Sequence, residues 1–331
     1  MIEVKNWSYE EYPDFLDREE AKGIEAEGVH VLQTTGKEPG TMYMHDVEYA
    51  KIGDVTLHLQ IVVPNTREER VAQEPLMRAA FAEGKRPENP AKRPCMVYVQ
   101  GSAWMKQNVY GSVVDVARMC ARGYVVAIVE YRHSGIASFP APAEDARNAI
   151  RFMRVHAKEF GVDPEKIVLA GNSSGGHTAM EAGILHDDEG PANLFPGVSA
   201  EVPAIVNFYG SVSAVRMDGF PTTVNHHMPD SPEGMEMGHV NLLEHPELIE
   251  QLSIECNIHP ETEIAPVLIF HGTKDKTVNP VQSLDLYRKL KECGKDVELY
   301  YLAGSDHGGP EFWTDEVVDI IDAFYRKHLN L

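Results

Sequence analysis

No stretch of about 18 consecutive apolar residues occurs in this sequence, so no segment reads as a membrane-spanning helix. Basic residues are also few. Against 51 Asp+Glu there are 30 Lys+Arg, a formal net charge of −21, which repels nucleic acid and anionic membrane surfaces and leaves neutral or cationic small molecules as partners. Part of that acidity serves solubility alone. Cysteine is scarce: Cys95, Cys120, Cys256 and Cys293 form no C-x-x-C pair, and three of them lie beside or within apolar or helical runs. They read as reduced, packed thiols. The start, Met1-Ile2-Glu3-Val4-Lys5-Asn6-Trp7, lacks the basic residues and apolar run of a signal peptide, so a cytoplasmic protein is expected. There is no internal repeat or low-complexity tract, and a homo-oligomer is left open.

What the chain does have is enough apolar material, 43% of 331 residues, to bury a large core without disulfides or metals. Residues 1–42 are polar and acidic, with a helical patch around Glu10 to Glu27, and read as an N-terminal appendage. The runs Val47 to Ala50 and Val55 to Val63, joined by Gly53-Asp54, predict a β-hairpin. A charged, Pro-rich insertion follows at 65–93, with a helical segment near Leu76 to Ala82. Short β-branched runs then alternate with helical patterns, with strands predicted near Cys95 to Val99, Val125 to Glu130, Ile167 to Ala170, Ala204 to Tyr209, Val267 to Phe270 and Val297 to Leu302. Such alternation implies right-handed βαβ units and a mostly parallel α/β sheet with helices on both faces. Ala146, Ala149, Ile150 and Met153 mark one apolar helix face within Pro140 to His156. Trp313, Val317, Ile320, Ile321 and Phe324 mark another. Between 211 and 264 the rhythm breaks into a Met-, His- and Pro-rich insertion where substrate-binding loops are expected. One catalytic domain is read over 43–331.

The predicted strand Ile167-Val168-Leu169-Ala170 runs into Gly171-Asn172-Ser173-Ser174-Gly175-Gly176 and a helix of small residues. This is G-x-S-x-G in a strand–turn–helix context. A serine hydroxyl is a poor nucleophile unless held at a tight turn, beside a base and at the positive end of a helix, and Gly171 and Gly175 supply the room. Ser173 is therefore the candidate nucleophile. Ser174 follows it, where a backbone N–H is wanted by a developing oxyanion. A Gly/Ser-rich turn without reactivity is the plainer reading, which the flanking strand and helix count against.

Fifteen histidines compete for the base. His307 alone lies in a Gly-rich loop, Gly304-Ser305-Asp306-His307-Gly308-Gly309, between the last strand and last helix, from which it can reach Ser173 across the sheet edge. His271, His177, His226 and His227 read as structural or substrate-lining. The acid is expected from the loop after Val267 to Phe270, with Asp275 at its tip and a helix beginning at Asn279-Pro280. Its carboxylate would fix the imidazole tautomer and stabilise the imidazolium. Asp306 is the rival, but neighbouring side chains on an extended loop point apart. The order Ser173, Asp275, His307 is that of the α/β-hydrolase fold.

After the apolar run Met96 to Val99 comes Gln100-Gly101-Ser102-Ala103-Trp104. In this fold that loop donates a second backbone N–H to the oxyanion, so Ser102, Ala103 and Ser174 are the expected donors, with Gly101 and Trp104 lining the substrate. Here the chain resembles the feruloyl and acetyl esterase-like branch of α/β hydrolases, related to the hormone-sensitive-lipase group, whose loop usually reads His-Gly-Gly-Gly-Trp. The resemblance extends through Glu130-Tyr131-Arg132, Phe139-Pro140-Ala141-Pro142-Ala143-Glu144-Asp145-Ala146 and Gly161-Val162-Asp163-Pro164 and covers roughly residues 93–326. Gln100 departs from the pattern, and Ser102 and Ala103 stand where two glycines are usual. The resemblance implies a serine carboxylesterase that needs no cofactor and hydrolyses short-acyl esters through an acyl-enzyme. Acetyl or cinnamoyl esters of carbohydrate, or small aryl and alkyl esters, are the expected substrates. Side-chain bulk from Ser102, Ala103 and Trp104 leads to an expected preference for acyl chains of about two to four carbons. Amide or peptide hydrolysis with the same residues, and a non-catalytic binding protein of this fold, remain as alternatives. A metal hydrolase built on His226, His227 and Asp230 matches no ligand spacing.

Overall fold

The computed structural model describes residues 7–84, 87–184, 191–215 and 221–331. Residues 1–6, read above for a leader, and 216–220 of the second insertion lie outside them. The chain divides into two compact units. One holds the described residues up to Gly40 together with Asn65–Pro87, and the other holds Thr41–Pro64 and Glu88–Leu331.

In the first unit the helical patch expected around Glu10 to Glu27 is three 3-10 turns, Phe15–Asp17, Glu19–Ala21 and Ile24–Glu27. Gly23 and Gly28 flank the last of them at φ 80° and 88°, left-handed backbone that interrupts right-handed winding. The helix Arg67–Ala82 begins earlier than the sequence pattern suggested. Thr66 and Glu69 cap it reciprocally: the Thr66 N–H donates to Glu69 Oε2 (2.9 Å) and the Glu69 N–H to Thr66 Oγ1 (3.2 Å). Pro75 lies inside the helix.

The second unit is built on one eight-stranded sheet. In chain order its strands are β1 (Thr41–Ile52), β2 (Val55–Pro64), β3 (Arg93–Val99), β4 (Val125–Val129), β5 (Val162–Asn172), β6 (Ile205–Phe208), β7 (Val267–Gly272) and β8 (Val297–Leu302). The spatial order is β1-β2-β4-β3-β5-β6-β7-β8. β1 and β2 form the expected hairpin, with Ile52 opposite Val55 across Gly53-Asp54. β2 pairs antiparallel with β4, and every pairing from β4 to β8 is parallel.

Side chains alternate across the pleat. Cys95, Val97 and Val99 of β3 join the core beneath the helices Ala141–Val155, Ser174–Ile184 and Val281–Glu292. Met96 and Tyr98 face the helices Val113–Ala121 and Asp315–Leu329. Each fully buried Val, Ile or Met contributes about 1.5–3 kcal/mol, so the strands form a rigid platform. Trp313 precedes the last helix, in the 3-10 turn Pro310–Trp313, and Thr314 caps that helix. This is the α/β-hydrolase arrangement, a mostly parallel sheet covered on both faces.

β3 continues through a helix to β4 on one side, and the chain then crosses to β5 on the other. Between β3 and β5 lies the topological switch point, where an open parallel sheet leaves a crevice at its carboxyl edge. Cys95 and Cys120 are buried, Cys293 is half-buried and Cys256 is exposed, and none is in a disulfide. The packing expected for all four thiols therefore fails at Cys256, which ends the short turn Ile254–Cys256 at the surface. Among the described residues no helix is long and apolar enough to cross a membrane.

Candidate active site

β5 ends at Asn172, and the helix Ser174–Ile184 starts two residues later, which leaves Ser173 alone on the bend. Its φ is 53°, a left-handed conformation that a non-glycine residue holds only where its surroundings over-determine it. The constraint here is close packing. A Cβ on Gly171 would lie 2.1 Å from the Gly175 carbonyl oxygen, and one on Gly175 would lie 2.1 Å from that of Val99. The Ser173 N–H donates to the Phe208 carbonyl at the end of β6 (2.9 Å).

The loops after β7 and β8 bring the other two candidates to this bend. The Ser173 hydroxyl donates to Nε2 of His307 (2.8 Å), and Nδ1–H of His307 donates to Oδ2 of Asp275 (2.7 Å). Asp275 is only 1% exposed, and four donors meet its carboxylate. Oδ2 also accepts from Nε2–H of His271 (3.0 Å), while Oδ1 accepts from the N–H groups of Thr277 and Val278 (both 2.8 Å). Burial by itself would push this carboxyl up. The hydrogen bonds from His271 and His307 outweigh it and hold Asp275 well below the usual carboxylate range.

Asp306 does not reach the imidazole. Its Oδ1 accepts the N–H of His307 (2.9 Å) and that of Lys276 (3.2 Å), and its Oδ2 pairs with Lys276 Nζ (2.7 Å), so it ties the two loops together from outside. The Tyr209 ring meets the His307 ring edge-on, with centroids 4.8 Å apart.

The loop after β3 differs from expectation in three respects. Gly101 packs under the bend. Its N–H donates to Asn172 Oδ1 (2.8 Å), and a Cβ there would meet the Asn172 carbonyl oxygen at 2.4 Å and Ser173 Cβ at 2.8 Å. Trp104 turns inward, 1% exposed, with its ring edge-on to His177, so it does not line an open acyl site. The Ser102 N–H is already engaged: it donates to Ser174 Oγ (2.9 Å). Among the described residues no acceptor closes on the N–H of Ala103 or of Ser174. Ser174, read as acting through its main chain alone, thus also uses its hydroxyl.

Four further side chains border this site. Asn172 links the bend to β3 by accepting from Tyr98 Oη and the Gly101 N–H (both 2.8 Å). Tyr131 touches Ser102 Oγ and Ser174 Oγ, and burial pushes its phenol up to about 12. Tyr209 and His271 complete the set. Only His271 carried a signal, four residues before Asp275 at a strand end.

The remaining histidines are committed elsewhere. His177 donates from Nε2 to the Leu252 carbonyl (2.8 Å), and burial lowers it to about 4. His226 pairs with Glu233 (2.8 Å) and donates to the Thr277 carbonyl (2.8 Å), while His227 donates to the Ala214 carbonyl (3.3 Å). Among the described residues no group of three or more His, Cys, Asp or Glu converges as metal ligands do.

Residues 85–290 match the family model described as BD-FAE. Esterase LipC of Mycobacterium tuberculosis is 28% identical over 227 residues, which are 67% of this chain and 54% of that protein. The chain spans about half the length of the named relatives it matches. A truncated carbohydrate esterase from gut microbiota superposes with a TM-score of 0.71 at 22% identity, over 88% of this chain and 97% of the other. Native esterase Est2 of Thermogutta terrifontis, solved also with propionate and with butyrate bound, gives a TM-score of 0.62 at 25% identity, over 88% and 93%.

Proposed function

The chain belongs to the BD-FAE family, and from that premise we propose that it is a serine carboxylesterase that hydrolyses short-acyl esters through an acyl-enzyme. One observation carries the reading: the unbroken chain of hydrogen bonds from Ser173 through His307 to Asp275. Nε2 of His307 takes the hydroxyl proton as Ser173 Oγ attacks the ester carbonyl. The oxyanion that forms faces the N–H groups of Ala103 and Ser174, and losing one such donor costs ~3 kcal/mol. His307 then protonates the leaving alcohol, and the resulting acyl-enzyme is opened by a water that His307 activates. Asp275 stays ionised throughout and fixes the imidazole with Nδ1–H toward itself.

Acetyl or cinnamoyl esters of carbohydrate, or small aryl and alkyl esters, fit this reading. Of the three side chains expected to crowd the acyl group, only the Ala103 methyl is not committed elsewhere. The short-acyl preference is therefore also supported by the small acids held by the Thermogutta esterase. A cytoplasmic location accords with four cysteines that form no disulfide. The test is kcat/KM on chromogenic esters from acetate to octanoate, together with feruloyl and acetylated-sugar substrates. The highest values are expected at about two to four carbons, since one methylene changes fit by ~1–3 kcal/mol. Faster turnover of octanoate than of acetate would refute the chain-length reading, and no turnover of any ester would refute the activity.

A further inference from the structure

Two adjacent non-glycine residues of the loop after β3 lie in the left-handed region, Ala103 at φ 55° and Trp104 at φ 52°. Such backbone is unfavourable for any residue with a Cβ, so the turn persists only where other contacts hold it. Three hydroxyls surround it. The Ser102 N–H donates to Ser174 Oγ (2.9 Å), Tyr131 Oη lies 3.4 Å from Ser174 Oγ and 3.1 Å from Ser102 Oγ, and Ser102 Oγ donates to the Met105 carbonyl (2.6 Å).

The two ends fix the direction of this chain, because an amide N–H can only donate and a carbonyl can only accept. Its protons therefore run from Ser174 to Tyr131, from Tyr131 to Ser102 and from Ser102 to Met105. Ser174 and Tyr131 are buried, where such chains reinforce themselves. The Met105 N–H closes the turn on the Ser102 carbonyl (3.0 Å), and the Trp104 carbonyl is held by the N–H of Ser134 (2.8 Å).

We propose that this one-way hydroxyl chain is a clamp that holds Ala103 in a conformation glycine would adopt unaided, with Tyr131 and the Ser174 side chain as positioning residues for the Ala103 N–H. The inference rests on the esterase reading of Ser173. It also explains how Ala103 can stand where the resembling loops carry glycine.

The experiment compares Tyr131→Phe, Ser174→Ala and the double variant Tyr131→Phe with Ala103→Gly, each checked by thermal melting. For the single variants kcat should fall about 10-fold or more with KM within about 2-fold, as expected when a transition-state group is misplaced rather than removed. The Ala103→Gly change should restore most of the kcat lost in Tyr131→Phe, since glycine takes positive φ without side-chain strain. Hydrogen exchange of the segment 101–105 should quicken in both single variants, a readout that needs no activity. Wild-type kcat and exchange in both single variants would overturn the clamp. So would a folded Tyr131→Phe enzyme that Ala103→Gly does not restore. A wild-type protein without ester turnover would sink the esterase reading instead, and the exchange measurement would still decide the clamp.

Discussion

Replacing Asp275 by Asn exchanges a carboxylate with four filled acceptor sites for an amide with one acceptor oxygen. Its Oδ1 position faces the fixed N–H groups of Thr277 and Val278 at 2.8 Å each, so the amide oxygen should remain there. The NH2 group then takes the place of Oδ2, where His307 and His271 both donate now. Facing a donor, the His307 ring keeps its proton on Nε2, the atom that must receive the Ser173 proton. This wrong tautomer lowers kcat about 10⁴-fold in the protease example of the same arrangement. That factor corresponds to ~5.4 kcal/mol of transition-state stabilisation. The fold should survive, because a neutral amide replaces a buried charge of the same shape. Asp306→Asn should cost under about tenfold, since its carboxylate makes no contact with the imidazole and holds only exposed or half-buried loop contacts. Both are measured as kcat on 4-nitrophenyl acetate near pH 8, with thermal melts alongside. A larger defect in Asp306→Asn, or wild-type kcat in Asp275→Asn, would refute the reasoning.

Glu236 is buried, its Oε2 has no hydrogen-bond partner among the described residues, and burial pushes it up to about 9. The folded protein then keeps a proton that the unfolded chain releases, so stability declines as pH rises from about 4.5 to about 9. Glu236→Gln should remove this slope: its Tm gain over wild type should be small at pH 4 and largest near pH 9, and a pH-independent difference would contradict the assignment. Asp145, fully buried, accepts from the N–H of Arg132 (2.8 Å) and from its Nε (2.9 Å). Asp145→Ala should destabilise by about 3 kcal/mol in urea titrations because it strands a mostly buried guanidinium, whereas Glu144→Ala, at the exposed side of the same cation, should cost under ~1 kcal/mol. Equal losses would show that burial does not set the cost.

Much of the sheet was legible because β-branched runs with turn signals name strands locally, and because G-x-S-x-G has meaning only between a strand and a helix. Ser173, Asp275 and His307 followed from their places after β5, β7 and β8, since parallel strands bring their carboxyl ends to one edge. What escaped was set by contacts distant in sequence or by backbone conformation. Nothing near Trp104 or Ser102 in the chain shows that positive φ at Ala103 and Trp104 turns the indole inward and commits the Ser102 N–H to Ser174. Asn172 and Tyr131 gain their roles from partners on other strands and loops. The helix Arg67–Ala82 starts well before the Leu76 to Ala82 segment that composition marks, at the capping box that Thr66 and Glu69 spell.

Covalent labelling tests most directly whether Ser173 alone is the activated nucleophile. Wild-type protein and the Ser173→Ala and Ser174→Ala variants are treated with a fluorophosphonate, and the adduct is located by peptide mass spectrometry. A single adduct on Ser173, absent from Ser173→Ala and still formed, more slowly, in Ser174→Ala, is the expected result. An adduct on Ser174, or undiminished labelling and ester turnover in Ser173→Ala, would contradict the account.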